Sequence, residues 1–333
     1  MKTADEILKE SMVIDAHLDL MSDLERKHAM GRQHVIKEDY LESFRAGCVD
    51  VIFAAIFVDD EYLPEQGLRQ ALRQVEALYT ELDELRDEVV IVRNTDEIRE
   101  ARHQGKIGIL ITMEGVEPLN GDVSLLRIFY NLGVRVLGLC WARSNWAADG
   151  ARFYSERPGY GITEDGERLI EYAQKLGMLL DVSHLNFTGF WDLIYLTGCP
   201  FIATHSNVYE ISHSPRNLMD KQLAVMMERS CVVGLNGVSM MLRFEDQEHA
   251  SLDDLIRHYC YLKEHGMLEI AGLGLDQFDR MNHQTANETF DVIKTHEELP
   301  LFVERLMETG FTESEIKGIL GDNLMRLLAS TIG

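Results

Sequence analysis

The sequence predicts an α/β fold, a closed barrel of parallel strands surrounded by helices. Short runs rich in valine and isoleucine alternate along the chain with longer segments of helical period. Most of these runs are apolar at every position, which is typical of strands that are covered on both faces. About eight such units in succession predict a (β/α)8 TIM barrel, and an open doubly wound sheet is the alternative.

Eight apolar runs are the candidate strands, in chain order Met12–His17, Val49–Val58, Ile107–Met113, Val134–Trp141, Met178–Ser183, Phe201–Thr204, Cys231–Asn236 and Ile270–Leu275. No Pro/Ser-rich linker, internal repeat or low-complexity tract divides them. We therefore expect residues 1–333 to form a single domain, a TIM barrel with extra C-terminal helices.

Segments of helical periodicity separate these strands. Glu65–Glu88 repeats leucine and valine at helical spacing, which we interpret as core packing. Thr163–Leu176 begins at a favoured N-cap residue and is followed by Gly177, a favoured C-cap residue. Further helices are predicted at Asp220–Arg229, at Leu252–His265, at Leu299–Thr309 and from Thr312 through Leu328. Two long stretches, Ser239–Ser251 and Gln277–Glu298, are candidate lids or substrate contacts.

The composition argues against several classes of protein. A formal net charge of −24 disfavours nucleic acid and anionic membrane surfaces, because both are bound mainly by lysine and arginine. Five widely spaced cysteines without a Cys-x-x-Cys motif predict reduced thiols rather than disulfides. The start is polar, and no apolar run is long enough to span a membrane. We therefore expect a cytoplasmic protein without a membrane partner.

Potential metal ligands follow the ends of several predicted strands: His17 and Asp19 after the first, Glu114 after the third, His184 after the fifth, His205 after the sixth and Asp276 after the eighth. Taken singly, each is more often a structural residue. The carboxyl ends of barrel strands meet on one face, where barrel enzymes have their active sites. Six such residues at strand ends therefore predict a shared metal site.

Spacing and residue type refine this metal site. On an extended strand His17 and Asp19 point the same way, and Asp15 could support them from behind. A pair of metal ions needs a bridging anion from the protein, and the third and fourth predicted strands contain no lysine that could be carbamylated. Glu114 is therefore the candidate bridge and Glu117 the second choice. Imidazole and carboxylate ligands without thiolate favour zinc, with manganese and iron as alternatives.

The chain resembles the membrane (renal) dipeptidase family of the amidohydrolase superfamily and looks like a bacterial-type member. The matching segments occur in family order along nearly the whole chain: Asp15–Leu20, Glu114-Gly115, Leu176–His184, Pro200–Asn207, Pro215–Leu218 and Ile319–Asn323. This resemblance implies two zinc ions per subunit. One would be held by His17 and Asp19 and the other by His184 and His205, with Glu114 bridging both.

The resemblance also implies roles for residues around the metal ions. Arg216 would bind the terminal carboxylate of the substrate, since its planar fork suits a bidentate contact, and Asn217 beside it is a further candidate for substrate binding. Asp276, with Glu114 as the second catalytic residue, would orient the attacking hydroxide and pass its proton to the departing amine. The two metals would lower the pKa of the water and polarise the scissile carbonyl.

Three features depart from the family pattern. Trp141 stands where the animal enzymes have a histidine, and its indole N–H can donate one hydrogen bond but cannot become a cation. We take Trp141 as a substrate-binding candidate; Arg143 either compensates for the missing charge or is solvated. The segment from Asp276 to Arg280 is longer than the family's Asp-Phe-Asp-Gly, which leaves the role of Asp279 open. Asn236–Ser239 replaces a more aromatic stretch and predicts an altered pocket.

The remaining histidines are expected to be solvated: His28, His34, His103, His249, His258, His265, His283 and His296. His213 is the exception, because it lies three residues before Arg216 and could touch the site. Cys140 is expected to be a buried thiol rather than a nucleophile, since no histidine pairs with it in the sequence.

These features together predict a zinc-dependent dipeptidase, with a D-residue at the C-terminal position of the substrate left open. An N-acyl-amino-acid deacylase of the same fold is the alternative. A metal-binding member of the family without peptidase activity is the third hypothesis, suggested by Trp141 and by the altered pocket predicted at Asn236–Ser239. The expected partner is a small dipeptide or N-acyl amino acid and not nucleic acid, and a homodimer is left open.

Overall fold

The computed structural model describes residues 2–151, 159–243, 247–278 and 291–333. This part of the chain contains nine parallel strands: β1 (Ile14–Leu18), β2 (Val51–Phe57), β3 (Val89–Ile91), β4 (Ile107–Glu114), β5 (Val134–Gly138), β6 (Leu179–Asp181), β7 (Ile202–Ser206), β8 (Val232–Leu235) and β9 (Ala271–Leu273). Their order is β2-β1-β9-β8-β7-β6-β5-β4-β3, and β2 also pairs with β4. That pairing closes a ring of eight strands, which confirms the predicted TIM barrel and excludes the open sheet.

All eight predicted strands are present, each shorter than or within a few residues of its expected range. β3 was not predicted. It has three residues, and it pairs only with the beginning of β4, where Val89 lies opposite Ile107. So short a run carries too little periodicity to be recognised.

The helices are α1 (Ala4–Glu10), α2 (Leu20–Ala29), α3 (Leu41–Ala46), α4 (Gly67–Glu84), α5 (Thr95–His103), α6 (Leu126–Asn131), α7 (Glu164–Leu176), α8 (Phe187–Leu196), α9 (Asp220–Glu228), α10 (Ser239–Leu242), α11 (Leu252–Glu264), α12 (Leu299–Glu308), α13 (Glu313–Lys317) and α14 (Asn323–Thr331). The caps predicted for α7 are confirmed, because Thr163 accepts a hydrogen bond from the Gly166 N–H and Gly177 adopts a left-handed conformation. No helix in the described ranges is long and apolar enough to cross a membrane.

The predicted final helix is interrupted. A wide turn, Gly318–Asp322, separates α13 from α14, and Gly321 within it has non-helical dihedral angles. The backbone of Gly321 packs closely against Met12, which lies just before β1. A Cβ added at Gly321 would lie 2.3 Å from the Met12 carbonyl oxygen. The break thus coincides with a contact between the two ends of the chain. Gly321, a poor helix former, is the local signal that could have indicated it.

Alternate strand positions supply two separate apolar layers. Val51 and Phe53 belong to one cluster with the inner residues of the other strands, whereas Ile52 and Ala54 belong to a second cluster shared with the surrounding helices. Both layers are buried, which explains why the strand sequences are apolar at nearly every position. α14 contributes Leu324 to the inner cluster and so helps to fill the barrel.

Two glycines let neighbouring strands approach beneath the site. A Cβ at Gly234 or Gly274 would lie 2.2 or 1.9 Å from the Thr204 carbonyl oxygen. Any larger residue would push β8 or β9 away from β7. These glycines therefore keep the strand ends that carry His205 and Asp276 close together.

Candidate metal centre

Six side chains meet at the carboxyl end of the barrel, and they are the six that the sequence singled out: His17, Asp19, Glu114, His184, His205 and Asp276. They come from five different strand ends, so only barrel closure brings them together. Their ligand atoms form two adjoining groups, and Glu114 contributes one oxygen to each. The groups are in contact, because the ring centroids of His17 and His205 are 3.8 Å apart.

The first group surrounds Nε2 of His17. Asp19 Oδ1 lies 3.7 Å from this nitrogen, Asp276 Oδ1 3.8 Å and Glu114 Oε2 3.9 Å. Ligand bonds of about 2.0–2.2 Å would place two donors on one zinc ion at most roughly 4.4 Å apart. All three separations fit within that span.

The second group surrounds the other oxygen of Glu114. His184 Nε2 lies 2.7 Å and His205 Nε2 3.4 Å from Glu114 Oε1, and the two nitrogens are 2.9 Å apart. One carboxylate thus faces both groups of donors. This is the geometry expected of a bridging ligand.

The way in which His17 and Asp19 meet differs from the expectation of a regular strand. β1 ends at Leu18, Asp19 occupies the N-cap position of α2, and the register with β2 shifts between Asp15 and Leu18. Irregularities of this kind re-aim side chains near active sites. The two ligands therefore converge through a break in the strand and not through strand alternation.

Hydrogen bonds behind His205 determine which of its nitrogens faces the site. Thr204 Oγ1 donates to Asp181 Oδ2 over 2.6 Å, so the same hydroxyl accepts from His205 Nδ1 over 2.9 Å. With its proton on Nδ1, the imidazole presents the lone pair of Nε2 to Glu114 and His184. This is the tautomer that a metal ligand requires.

Asp15 supports the other side of the site. Its Oδ1 accepts hydrogen bonds from the backbone N–H groups of His17 and Leu275, and its Oδ2 lies 2.8 Å from His296 Nε2. Asp15 and His296 are both fully buried. The support expected of Asp15 therefore acts through the backbone beside two of the ligands.

Two histidines that were expected to be solvated are buried, and those predictions were wrong. His296 contacts Asp15, while His258 accepts a hydrogen bond from the Val208 N–H over 3.1 Å. His296 lies in a polar run and is covered by the Phe44 ring, which packs edge-on to it. His258 lies on the buried face of α11, between Leu255 and Leu262. Asp279 and His283 lie outside the described residues.

The three carboxyl groups of the site share an unfavourable environment. Burial raises the pKa of Asp19 and of Glu114 well above the usual range, and neighbouring carboxylates add to the rise in both. Burial also raises the pKa of Asp276 to about 7, although the hydrogen bond from Asn236 opposes that rise. Clustered, buried carboxylates of this kind need a cation to stay ionised.

The imidazoles are neutral. Burial lowers the pKa of His17 to about 3, with the Arg216 guanidinium adding to the effect. Burial likewise holds the pKa of His184 and His205 well below the usual range. Neutral histidine is the form that binds metal.

The donor set fits divalent metal ions. Asp19 Oδ1 is a buried carboxylate oxygen without a hydrogen-bond partner in the described part of the chain, and it faces the first group of donors. Nitrogen and carboxylate donors without sulfur suit zinc. A dication at each group would offset both the repulsion among the carboxylates and their burial.

Arg216 lies between the two histidines of the second group and a cavity. Its Nη2 is 3.2 Å from His184 Nε2 and donates to the His205 carbonyl oxygen, while Nε and Nη1 are buried without a partner in the described residues. Burial lowers the pKa of Arg216 to about 10, so the side chain is still a cation at neutral pH. Unsatisfied guanidinium N–H groups favour an anionic ligand.

The cavity beyond Arg216 has a volume of about 730 Å³ and is lined by the loops that follow β5, β6 and β7. His213 and Asn217 both line it. His213 stacks on Tyr209, with ring centroids 4.9 Å apart. Asn217 donates both N–H bonds of its amide to the carbonyl oxygens of Ser212 and Met241, which leaves only Oδ1 for a substrate.

Trp141 lies beside the second group, its ring centroid 5.9 Å from that of His184. Arg143 is neither solvated nor directed at the metal ligands. It donates to Glu117 Oε1 over 2.8 Å and to the Val58 carbonyl oxygen over 2.6 Å. This pairing also removes Glu117 from the list of candidate bridges.

Sequence reasoning missed Asn236 as a residue of the site. Its Nδ2 donates to Asp276 Oδ2 over 2.9 Å, and the residue is fully buried. Asn236 directly follows β8, just as the candidate metal ligands lie at or after the ends of their own strands. This position is the signal that could have identified it.

Fold and site together define a metal-dependent hydrolase built on a TIM barrel. The sequence model described as membrane dipeptidase (Peptidase family M19) matches residues 1–332. The chain therefore belongs to this family of metallo-dipeptidases, which confirms the resemblance and the predicted enzyme class at the level of the family.

Individual relatives agree with this assignment. An uncharacterized protein of Acinetobacter calcoaceticus is 32% identical over 205 residues, 60% of this chain and 65% of its own length. The dipeptidase verJ of Clonostachys rogersoniana is 26% identical over 273 residues, 82% of this chain and 67% of its own length. The chain thus spans about two thirds of the length of both relatives.

A solved structure matches over nearly its whole length. The metallo peptidase from Rhodobacter sphaeroides, liganded with a phosphinate mimic of the dipeptide L-Ala-D-Ala, is 28% identical with a TM-score of 0.87. The match covers 97% of this chain and 100% of that one.

Proposed function

We propose that this chain is a two-zinc dipeptidase that cleaves the peptide bond of free dipeptides. The single observation that supports this most is the placement of Glu114, which has Oε2 directed at His17 and Oε1 directed at His184 and His205. His17, Asp19 and Glu114 would hold one metal ion, and Glu114, His184 and His205 the other. When bound, such ions lower the pKa of water and polarise a carbonyl oxygen.

The chain's own residues supply binding and proton transfer. Arg216 would bind the substrate carboxylate through the N–H groups that are otherwise unsatisfied. Asp276, whose Oδ1 lies 3.8 Å from His17 Nε2 at the edge of the first group, would take a proton from the attacking water and deliver it to the leaving amine. Trp141 and Asn217 remain proposed substrate contacts, Trp141 beside His184 and Asn217 through Oδ1, which has no hydrogen-bond partner among the described residues.

A C-terminal D-residue is part of this proposal. The Rhodobacter sphaeroides relative was solved with a mimic of L-Ala-D-Ala, and in this chain a cavity of about 730 Å³ lies beside Arg216. A panel of L,L- and L,D-dipeptides with matched N-acyl amino acids would test it. Cleavage of the acyl compounds alone would replace the proposal by a deacylase, and cleavage of neither would favour a metal-binding protein without peptidase activity.

Substitution of the bridge tests the metal arrangement. Glu114→Gln keeps the size of the side chain but removes its charge, so we expect loss of at least about 100-fold in kcat/KM and a fall in bound metal. Glu117→Gln is the matched control, because Glu117 pairs with Arg143 and not with the ligands. Elemental analysis should find two zinc atoms per wild-type chain; a fully active, metal-loaded Glu114→Gln variant would exclude this arrangement.

A cytoplasmic location and a homodimer belong to the proposal as well. All five cysteines are free thiols, which supports a reducing compartment. Cell fractionation and light scattering of the purified protein are the direct tests.

A further inference from the structure

The amide of Asn236 has a defined orientation. Its Oδ1 accepts a hydrogen bond from the Val238 N–H over 2.6 Å, and a backbone N–H can only be matched by the oxygen of the amide. Nδ2 must therefore point the other way, toward Asp276 Oδ2 at 2.9 Å. Asn236 is thus a hydrogen-bond donor to the carboxylate, and the flipped assignment is excluded.

The backbone of Asn236 is held as firmly as its side chain. Its N–H donates to Asn207 Oδ1 over 3.1 Å, and its carbonyl oxygen accepts from Asn207 Nδ2 over 3.0 Å. Both asparagines are fully buried. The amide that faces Asp276 therefore sits on a rigid support that links the ends of β7 and β8.

Asp276 itself has few other restraints. It lies past the end of β9 with a φ of 53°, a left-handed conformation that aspartate adopts at some cost. Its backbone N–H donates to the His17 carbonyl oxygen over 3.2 Å. Among the described residues, the Asn236 amide is the hydrogen-bond partner of its carboxylate.

We infer that Asn236 is a positioning residue that fixes one oxygen of Asp276 so that the other, Oδ1, faces His17 Nε2. Without the hydrogen bond from Asn236, the carboxylate could rotate and direct both of its oxygens at the metal-ligand atoms around His17. A carboxylate held by one oxygen stays available for proton transfer through the other. The inference rests on the proposed function for its catalytic consequence, but the geometric part stands independently.

Two substitutions separate positioning from simple stability. Asn236→Ser keeps a short acceptor for the Val238 N–H but does not reach Asp276, and Asn236→Leu keeps the size without polar atoms. We expect both to lower kcat about 10- to 100-fold, the range typical of residues that orient ligands, while KM changes less than about threefold. Asn323→Ser is the matched control, because the Asn323 amide donates to the Leu268 and Ala271 carbonyl oxygens away from the site.

Cobalt-substituted protein supplies a readout that does not depend on turnover. Both Asn236 variants should change the visible absorption of bound cobalt, whereas Asn323→Ser should leave it as in the wild type. Lower thermal stability with unchanged kcat and an unchanged spectrum would overturn the inference and leave Asn236 a structural residue. If the wild type cleaves no dipeptide, the proposed function fails, and the cobalt spectra still decide whether Asn236 orients Asp276.

Discussion

His296 Nε2 and Asp15 Oδ2 form a hydrogen bond of 2.8 Å in the interior of the protein, although 281 positions separate the two residues in the sequence. The other oxygen of Asp15 binds the backbone of His17 and of Leu275, the residue before Asp276. These hydrogen bonds therefore connect the first group of metal-ligand atoms with the segment before α12.

The first prediction concerns this pair. His296→Ala leaves Asp15 Oδ2 buried without its partner, so we expect a loss of about 1–3 kcal/mol in the free energy of unfolding. Because Asp15 orients the backbone at His17, metal affinity should also fall, by roughly 10- to 100-fold. Urea unfolding and competition with a chelator measure the two effects. His265→Ala is the control, since His265 is exposed and stacks on Tyr261; equal effects of both substitutions would contradict the prediction.

A second prediction concerns recognition of the substrate carboxylate by Arg216. Arg216→Lys removes the planar fork, so discrimination between a dipeptide acid and its C-terminal amide should fall by at least about 10-fold in kcat/KM. Arg143→Lys should leave the discrimination as it is, because Arg143 is paired with Glu117. Retained discrimination in Arg216→Lys would show that another group binds the carboxylate.

A third prediction concerns the cavity beside Arg216. Thr188, on α8, lines this cavity. Thr188→Trp should therefore raise KM for dipeptides with a large C-terminal side chain by about 10-fold or more, because the added ring would take the space in which that side chain is buried. Dipeptides that end in glycine should be unaffected. The control is Tyr195→Trp on the same helix, where Tyr195 is 92% exposed. A uniform rise of KM for all substrates would argue against this placement of the side chain.

A fourth prediction concerns pH and His258. Burial lowers the pKa of His258 from 6.5 to about 3, so the unfolded chain binds a proton in this interval that the folded protein does not. Stability must therefore fall as the pH drops below 6.5, by about 1.4 kcal/mol per pH unit from this group. His258→Asn keeps an acceptor for the Val208 N–H but does not titrate. Urea unfolding of the metal-free proteins between pH 7.5 and 4.5 should show the smaller slope in the variant, and parallel curves would refute the assignment.

Most of the barrel could be predicted from the sequence, because strands buried on both faces must be apolar throughout. Val51–Phe57 and Ile107–Glu114 are such strands, and both were recognised. β3 and the break at Gly321 were not, since one has three residues and the other coincides with a contact with Met12. Local patterns carry no information about contacts between the two ends of a chain.

The six candidate ligands could be found for a related reason. Each follows a strand, and a parallel barrel gathers all its carboxyl ends on one face, so their proximity follows from topology. The residues that orient them are different. His296 lies in the polar run Lys294–Glu298, and only the packing of Phe44 over it shows that it is buried.

The sequence by itself determined the kind of site, six imidazole and carboxylate side chains at the ends of barrel strands, because residue type and strand order decide which donors can meet. Only the tertiary structure decided how they meet: that Glu114 and not Glu117 faces both donor groups, that Asp19 joins His17 through a break in β1, and that Asn236 holds Asp276. Those outcomes depend on hydrogen bonds and ion pairs between segments far apart in the chain, and the spacing of residues along one strand cannot express them.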